Sequence, residues 1–221
     1  MLLLALDTAT NAITVALHDD REVVASRAVL DARRHTELLA PTIEAVLLDA
    51  AVDVADLTDV AVGTGPGPFT GLRVGLVTAE VLAHTRGLPV HGVCSLDALA
   101  AASGITGDLL VATDARRKEV YWARYSCSGS GLPVRVTDPA VQRPAELTQK
   151  VRDLPTVGRG ALLYPELLPH GREPLDVDAA WLARVAVDGL RSGRPMPTEP
   201  LYLRRPDALT TAERAAVGPQ R

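Results

Sequence analysis

Two aspartates close apolar runs in this chain, and both stand where chemistry is done. Leu3-Leu4-Ala5-Leu6 ends in Asp7, and Leu110-Val111-Ala112-Thr113 ends in Asp114. Carboxyl ends of strands are where α/β sheets take their ligands. Two such carboxylates would lie on opposite walls of a cleft. Thr8 and Thr10 follow the first aspartate and can hydrogen-bond its turn.

The second chemical candidate is "GTGPGPFTGLRVG", residues 63–75, with five glycines and two prolines. A phosphate cradle aims successive backbone N–H groups at the anion. Pro66 and Pro68 have none to give. The stretch has neither a Gly-Lys-Ser/Thr ending nor a G-x-G-x-x-G register. It reads instead as a stiff turn that aims the next helix, predicted over residues 70–86 with Thr70 as N-cap and Gly87 as stop signal. Along that helix Gly71, Gly75, Ala79 and Ala83 form one i±4 ridge. A ridge of small residues admits another backbone closely, either the protein's own sheet or a helix of a second chain. Arg73 projects beside it and could meet a carboxylate across an interface.

Other chemistries lack their residues. No two of His18, His35, His84, His91 and His170 stand three to five apart, and H-E-x-x-H is absent, which leaves a zinc peptidase no local ligand pair. G-x-S-x-G is absent too. Cys94 and Cys127 have neither metal-site nor disulfide-framework spacing. A net charge of −4 argues against broad unassisted binding of nucleic acid. With no signal-peptide pattern and no apolar run of membrane length, a cytoplasmic location is expected.

The elements that must hold these residues come twice. The 221 residues are 47% apolar but only 3% aromatic, so the core is built from Ala, Val and Leu. Each aspartate is followed by a short turn and a second strand, 13–17 or 120–124, then a third extended stretch, 22–29 or 134–142. A helical pattern comes next, around Leu38, Leu39, Ile43, Val46 and Leu47 or over 144–154. Val62-Gly63-Thr64-Gly65 is answered by Val157-Gly158-Arg159-Gly160, with helices expected at 70–86 and 178–191. The order is strand, strand, strand, helix, strand, helix in each half. The lobes are expected at 1–105 and 106–205, with a tail at 206–221 that has helical character at 210–216.

This duplicated α/β order resembles the RNase H-like lobes of the actin, hexokinase and Hsp70 ATPase superfamily. Four strings narrow the likeness: "LALDTATNAITVAL", "GPGPFTGLRVG", "DARRKEVYWARY" and "PLYLRR" occur in order across most of the chain. Together they are similar to the bacterial TsaB family, also called YeaZ. The resemblance implies a non-catalytic platform subunit in making threonylcarbamoyladenosine beside the tRNA anticodon. Its implied partner is the catalytic paralogue TsaD, with a TsaE-type ATPase in the assembly and tRNA reached only through the complex. No cofactor is implied in this chain, ATP and metal belonging to the catalytic partner. The resemblance also turns the ridge outward. Thr70, Gly71, Arg73, Val74, Gly75, Thr78, Ala79 and Leu82 then form the partner interface, or a homodimer face when the chain is alone. Asp7, Thr8, Thr10 and Asp114 become a vestigial nucleotide cleft. ATP-binding relatives carry Asp-x-Gly-Thr where this chain has Asp7-Thr8-Ala9-Thr10, and the family's usual serine after Gly-Pro-Gly is Pro68 here. An active ATP-dependent small-molecule kinase of the same superfamily, which the two aspartates favour, is the alternative, and a metallopeptidase of the kind with which such proteins were once grouped is a more remote one.

Overall fold

The computed structural model describes residues 1–129 and 131–204, and the expected helical character at 210–216 lies outside them. The chain forms two mixed sheets. In the first, β1 (Leu3–Asp7), β2 (Ala12–His18) and β3 (Val23–Leu30) make an antiparallel meander. Parallel to β1 runs β4 (Asp59–Gly63), and parallel to β4 runs β5 (Val90–Val93), giving the order β3-β2-β1-β4-β5. The second sheet repeats the plan. Its members are β6 (Gly107–Asp114), β7 (Val120–Cys127), β8 (Val134–Arg135), β9 (Ala140–Gln142), β10 (Thr156–Val157) and β11 (Gly171–Arg172). Its order is β11-β10-β6-β7-β8, with β9 also on β7.

The helices are α1 (His35–Asp49), α2 (Phe69–Arg86), α3 (Ser95–Ala102), α4 (Gln149–Arg152), α5 (Arg159–Leu163) and α6 (Ala179–Ser192). Each half therefore runs strand, strand, strand, helix, strand, helix, strand, helix, one strand and one helix longer than expected. By position α5 is the counterpart of α2, and α6 the counterpart of α3. The sequence expectation had paired α6 with α2. The third stretch of the second half is also split, into β8 and β9, and the helix expected at 144–154 is a 3-10 turn plus α4.

Strands β1 and β2 are continuous apolar runs because both faces are covered. Leu4, Leu6, Ile13, Val15 and Leu17 pack against Leu39, Ile43 and Val46 of α1 and Leu72 and Leu76 of α2. On the other face, Leu3 and Ala5 meet Leu96 and Leu99 of α3 and Leu182 and Ala186 of α6. The same core includes Leu109, Val111, Ala123 and Tyr125 of the second sheet. The two halves exchange helices across this layer. α6 packs on β1 and β2, while α3 packs on β6 and β7. Among the described residues no helix is long and apolar enough to cross a membrane.

Candidate functional site

The N-cap of α2 is Pro68, two residues before the expected Thr70, because Pro68 enters the helix with φ −58° and needs no N–H there. Gly87 ends it in the left-handed conformation, φ 66°, as its stop signal implied. Its small-residue ridge faces inward. Gly71, Gly75, Ala79 and Ala83 are all buried against the protein's own first sheet and its turn. A Cβ on Gly71 would stand 2.7 Å from the Thr8 carbonyl oxygen, and one on Gly75 2.5 Å from Thr8 Oγ1. The expectation that Gly71, Gly75 and Ala79 lie at closest approach to a partner is therefore corrected. The space they leave is taken by Thr8. Its hydroxyl donates to the Gly71 carbonyl (2.7 Å) and accepts the Gly75 N–H (2.9 Å).

The remaining ridge neighbours flank it, and Val74 and Leu82 still pack partly on the core of the first half. Thr70 and Arg73 are exposed, and Val74, Thr78 and Leu82 are half-buried. Between them stand Phe69, Val77 and Val81, exposed at 47%, 55% and 57%. Sequence reasoning passed over these three, although positions 69, 73, 77 and 81 make a plain i+4 series. The Arg73 guanidinium lies 4.9 Å from the centre of the Phe69 ring, within cation–π range. Tyr202 packs on Phe69 at the N-terminal end of the patch, its ring centroid 5.2 Å away and tilted by 36°. The extended C-terminal stretch that carries Tyr202 is tied to the first sheet where Met196 accepts from Gly92 N–H and Leu201 N–H donates to Thr64.

The head of the turn after β1, Asp7 and Thr8, is turned inward. Asp7 is fully buried and does not line the crevice between the halves. Its carboxylate accepts the Ala9 N–H (2.8 Å) and the Ser95 hydroxyl (2.5 Å). Ser95 Oγ in turn accepts from Gly65 N–H (3.2 Å), so Asp7 fixes the glycine-rich loop through the start of α3. Burial pushes the Asp7 carboxyl up to about 6, against the pull of the Ser95 and Ala9 hydrogen bonds. Thr10 does line the crevice, and its hydroxyl accepts from Val177 N–H (3.3 Å). Asp114 stands on the opposite wall and holds its own turn, accepting Arg116 N–H (2.7 Å) with the Arg116 guanidinium at 3.2 Å.

The crevice is narrow. Its volume is about 10 Å³, room for about one water, where small-molecule sites have roughly 300–1,000 Å³. Arg159 closes one side with a two-pronged pair to Asp176 (2.8 and 2.7 Å). The glycine-rich loop closes another, since a Cβ on Gly67 would stand 2.5 Å from the Ala9 carbonyl oxygen. A nucleotide and its metal do not fit these residues. Among the described residues no three His, Cys, Asp or Glu side chains converge to hold an ion. A separate groove of about 770 Å³, lined by Cys94, Asp97, Arg135, Asp188, Met196 and Leu201, shares no lining residue with the crevice. There Asp97 takes both the Arg135 guanidinium and the Tyr125 hydroxyl (2.7 Å). Burial pushes the Cys94 thiol up to about 12, which leaves it a poor nucleophile.

Comparison with known proteins follows the geometry. The family model described as TsaD, tRNA N6-adenosine threonylcarbamoyltransferase, matches residues 24–159. An uncharacterized Mycobacterium tuberculosis protein is 44% identical over 212 residues, 93% of this chain and 92% of its own length. The tRNA threonylcarbamoyladenosine biosynthesis protein TsaB of Escherichia coli is 37% identical over 175 residues, 76% of this chain and 75% of its own. The solved YeaZ structure from Pseudomonas aeruginosa superposes with a TM-score of 0.80 at 29% identity, over 91% of this chain and 99% of that one.

Proposed function

Because the chain belongs to the TsaB (YeaZ) family, we propose that it acts as a non-catalytic platform for a TsaD-type catalytic paralogue. Its process is tRNA threonylcarbamoyladenosine biosynthesis. The docking face is the outward flank of α2, comprising Thr70, Arg73, Val74, Thr78 and Leu82 together with Phe69, Val77 and Val81. The observation that carries this reading is the exposure of Phe69, Val77 and Val81 on one helix whose opposite ridge is locked to β1. Apolar and aromatic residues with an arginine beside them are the usual anchors of a protein interface. A helix pinned along its inner ridge presents them with little ordering cost on binding.

The narrow crevice supports the non-catalytic part of the proposal. A crevice with room for about one water does not seat a nucleoside triphosphate, which agrees with ATP and metal belonging to the partner. A TsaE-type ATPase joins the assembly, and tRNA is met by the complex in the cytoplasm. When the paralogue is absent, the same apolar flank pairs with a second copy.

Reconstituted threonylcarbamoyl transfer tests the proposal. The catalytic paralogue and the ATPase are assayed on tRNA with this chain, without it, and with a Val77→Glu variant. Transfer is expected only with the wild-type chain, and the chain alone is expected to give none. Full transfer without it, or turnover by the chain alone, would overturn the platform reading.

A further inference from the structure

Thr8 occupies an unusual place. An α-helix joins N–H of residue i to the carbonyl of residue i−4, which for Gly75 is Gly71. The Thr8 hydroxyl is bonded to both of those groups, although it belongs to the turn after β1. Thr8 is 2% exposed, so no water competes for either group. Helices bend where a side chain enters the i→i−4 ladder. The rung in question divides the outward flank of α2 in two. Phe69, Thr70 and Arg73 come before Gly75, and Val77, Thr78 and Val81 come after it.

We infer that Thr8 is the positioning residue of the docking helix: its hydroxyl sets the angle between the two parts of the flank that a partner must meet together. This rests on the reading of that flank as the docking face. The turn is well placed to hold such an angle. Asp7 ties it to Ala9 and Ser95, and Thr10 and Thr14 tie the same hairpin to Val177 N–H and Ala179 N–H of the second half. The glycines follow from the same geometry, since a side chain at Gly71 or Gly75 would expel the hydroxyl or the turn.

Three substitutions at Thr8 separate position from mere packing. Thr8→Ser keeps the hydroxyl. Thr8→Ala lets Gly75 N–H pair directly with Gly71, and Thr8→Val fills the space but neither donates nor accepts. Each full-length variant is melted, its Gly75 amide resonance is recorded, and its affinity for the catalytic paralogue is measured below its melting temperature. Thr8→Ser is expected to match the wild type throughout. Thr8→Ala and Thr8→Val are expected to shift the Gly75 resonance and to weaken binding by roughly tenfold while folded. Val77→Glu, on the flank itself, is expected to lose binding with Gly75 unmoved. If either folded hydroxyl-less variant binds as Thr8→Ser does while Val77→Glu does not, the positioning role is wrong and the docking face stands. If Val77→Glu binds normally, the docking face is wrong and this inference falls with it.

Discussion

The turns after β1 and β6 hold corresponding places in the two halves and face opposite ways. In the first, Asp7 and Thr8 are buried and their side chains hold α3 and α2. In the second, Asp114 holds only its own turn, Ala115 stands where Thr8 would, and Arg116, Arg117 and Lys118 are exposed with positive φ. The helices that follow differ in step. α2 has 18 residues and α5 has 5. Glycines at the head of α2 make room for a hydroxyl from the turn. Gly160 in α5 makes room only for Ala112 of β6, whose Cβ and carbonyl oxygen lie 2.7 and 2.8 Å from where its own Cβ would be. One copy is a mount for a long, outward-facing helix, and the other a wall that narrows the crevice.

The largest effect should come from filling the mount. Gly75→Leu improves helix propensity by roughly 0.8 kcal/mol, yet its side chain would meet Thr8 Oγ1. Overpacking and two broken hydrogen bonds should cost about 3 kcal/mol or more, seen as a lowered melting temperature. An unchanged melt would mean the ridge faces outward after all.

Charge on the mounted face comes next. Val81→Glu should weaken binding of the catalytic paralogue by roughly tenfold to a hundredfold with little change in melting. Leu162→Glu, on the equally exposed second-half helix at 59%, should leave binding alone. Equal losses from both would erase the contrast between the halves.

The buried turn carries a pH signature. The folded Asp7 carboxyl titrates near 6, above its ordinary 3.8, so the folded state holds the proton longer than the unfolded chain. The stabilisation from that proton is full below the unfolded value and lost as pH rises through the folded one. From about pH 4 to about pH 8 the loss is about 2 kcal/mol. Asp7→Asn removes it, so the stability difference between variant and wild type should move in the variant's favour by that amount as pH rises. His18 is pulled down by burial and works in the opposite direction over part of this window, which is why the pair of proteins is compared. A difference independent of pH would contradict the buried carboxylate. Smallest is Arg116→Ala at the second turn. Its ion pair to Asp114 is largely in solvent, and denaturant melts should shift by less than about 0.5 kcal/mol.

Much of the frame was legible in the residues. β1 and β2 announce themselves as apolar runs, and the repeated aspartate marks where each half begins. β5 and α3 do not. β5 has four residues, and α3 after Ser95 and Asp97 is Ala and Leu, buried on nearly every side between two sheets, so it has too little polar face to set a period. The ridge of α2 was visible but its direction was not, because small residues suit an inner and an outer contact alike. Asp7 showed as a candidate acid, yet the groups that withdraw it include Ser95, 88 residues away. Thr8 could not be told from any turn threonine, since its partners Gly71 and Gly75 lie 63 and 67 residues on. The open question that sequence could have narrowed was the outward series at 69, 73, 77 and 81.

Amide hydrogen exchange on the complex with the catalytic paralogue tests the docking face most directly. The account predicts added protection along α2 (Phe69–Arg86) and at the stretch around Tyr202, with α5 (Arg159–Leu163) unchanged. Protection gathered on α5 or on the second turn, with α2 exchanging as it does in the free chain, would contradict it.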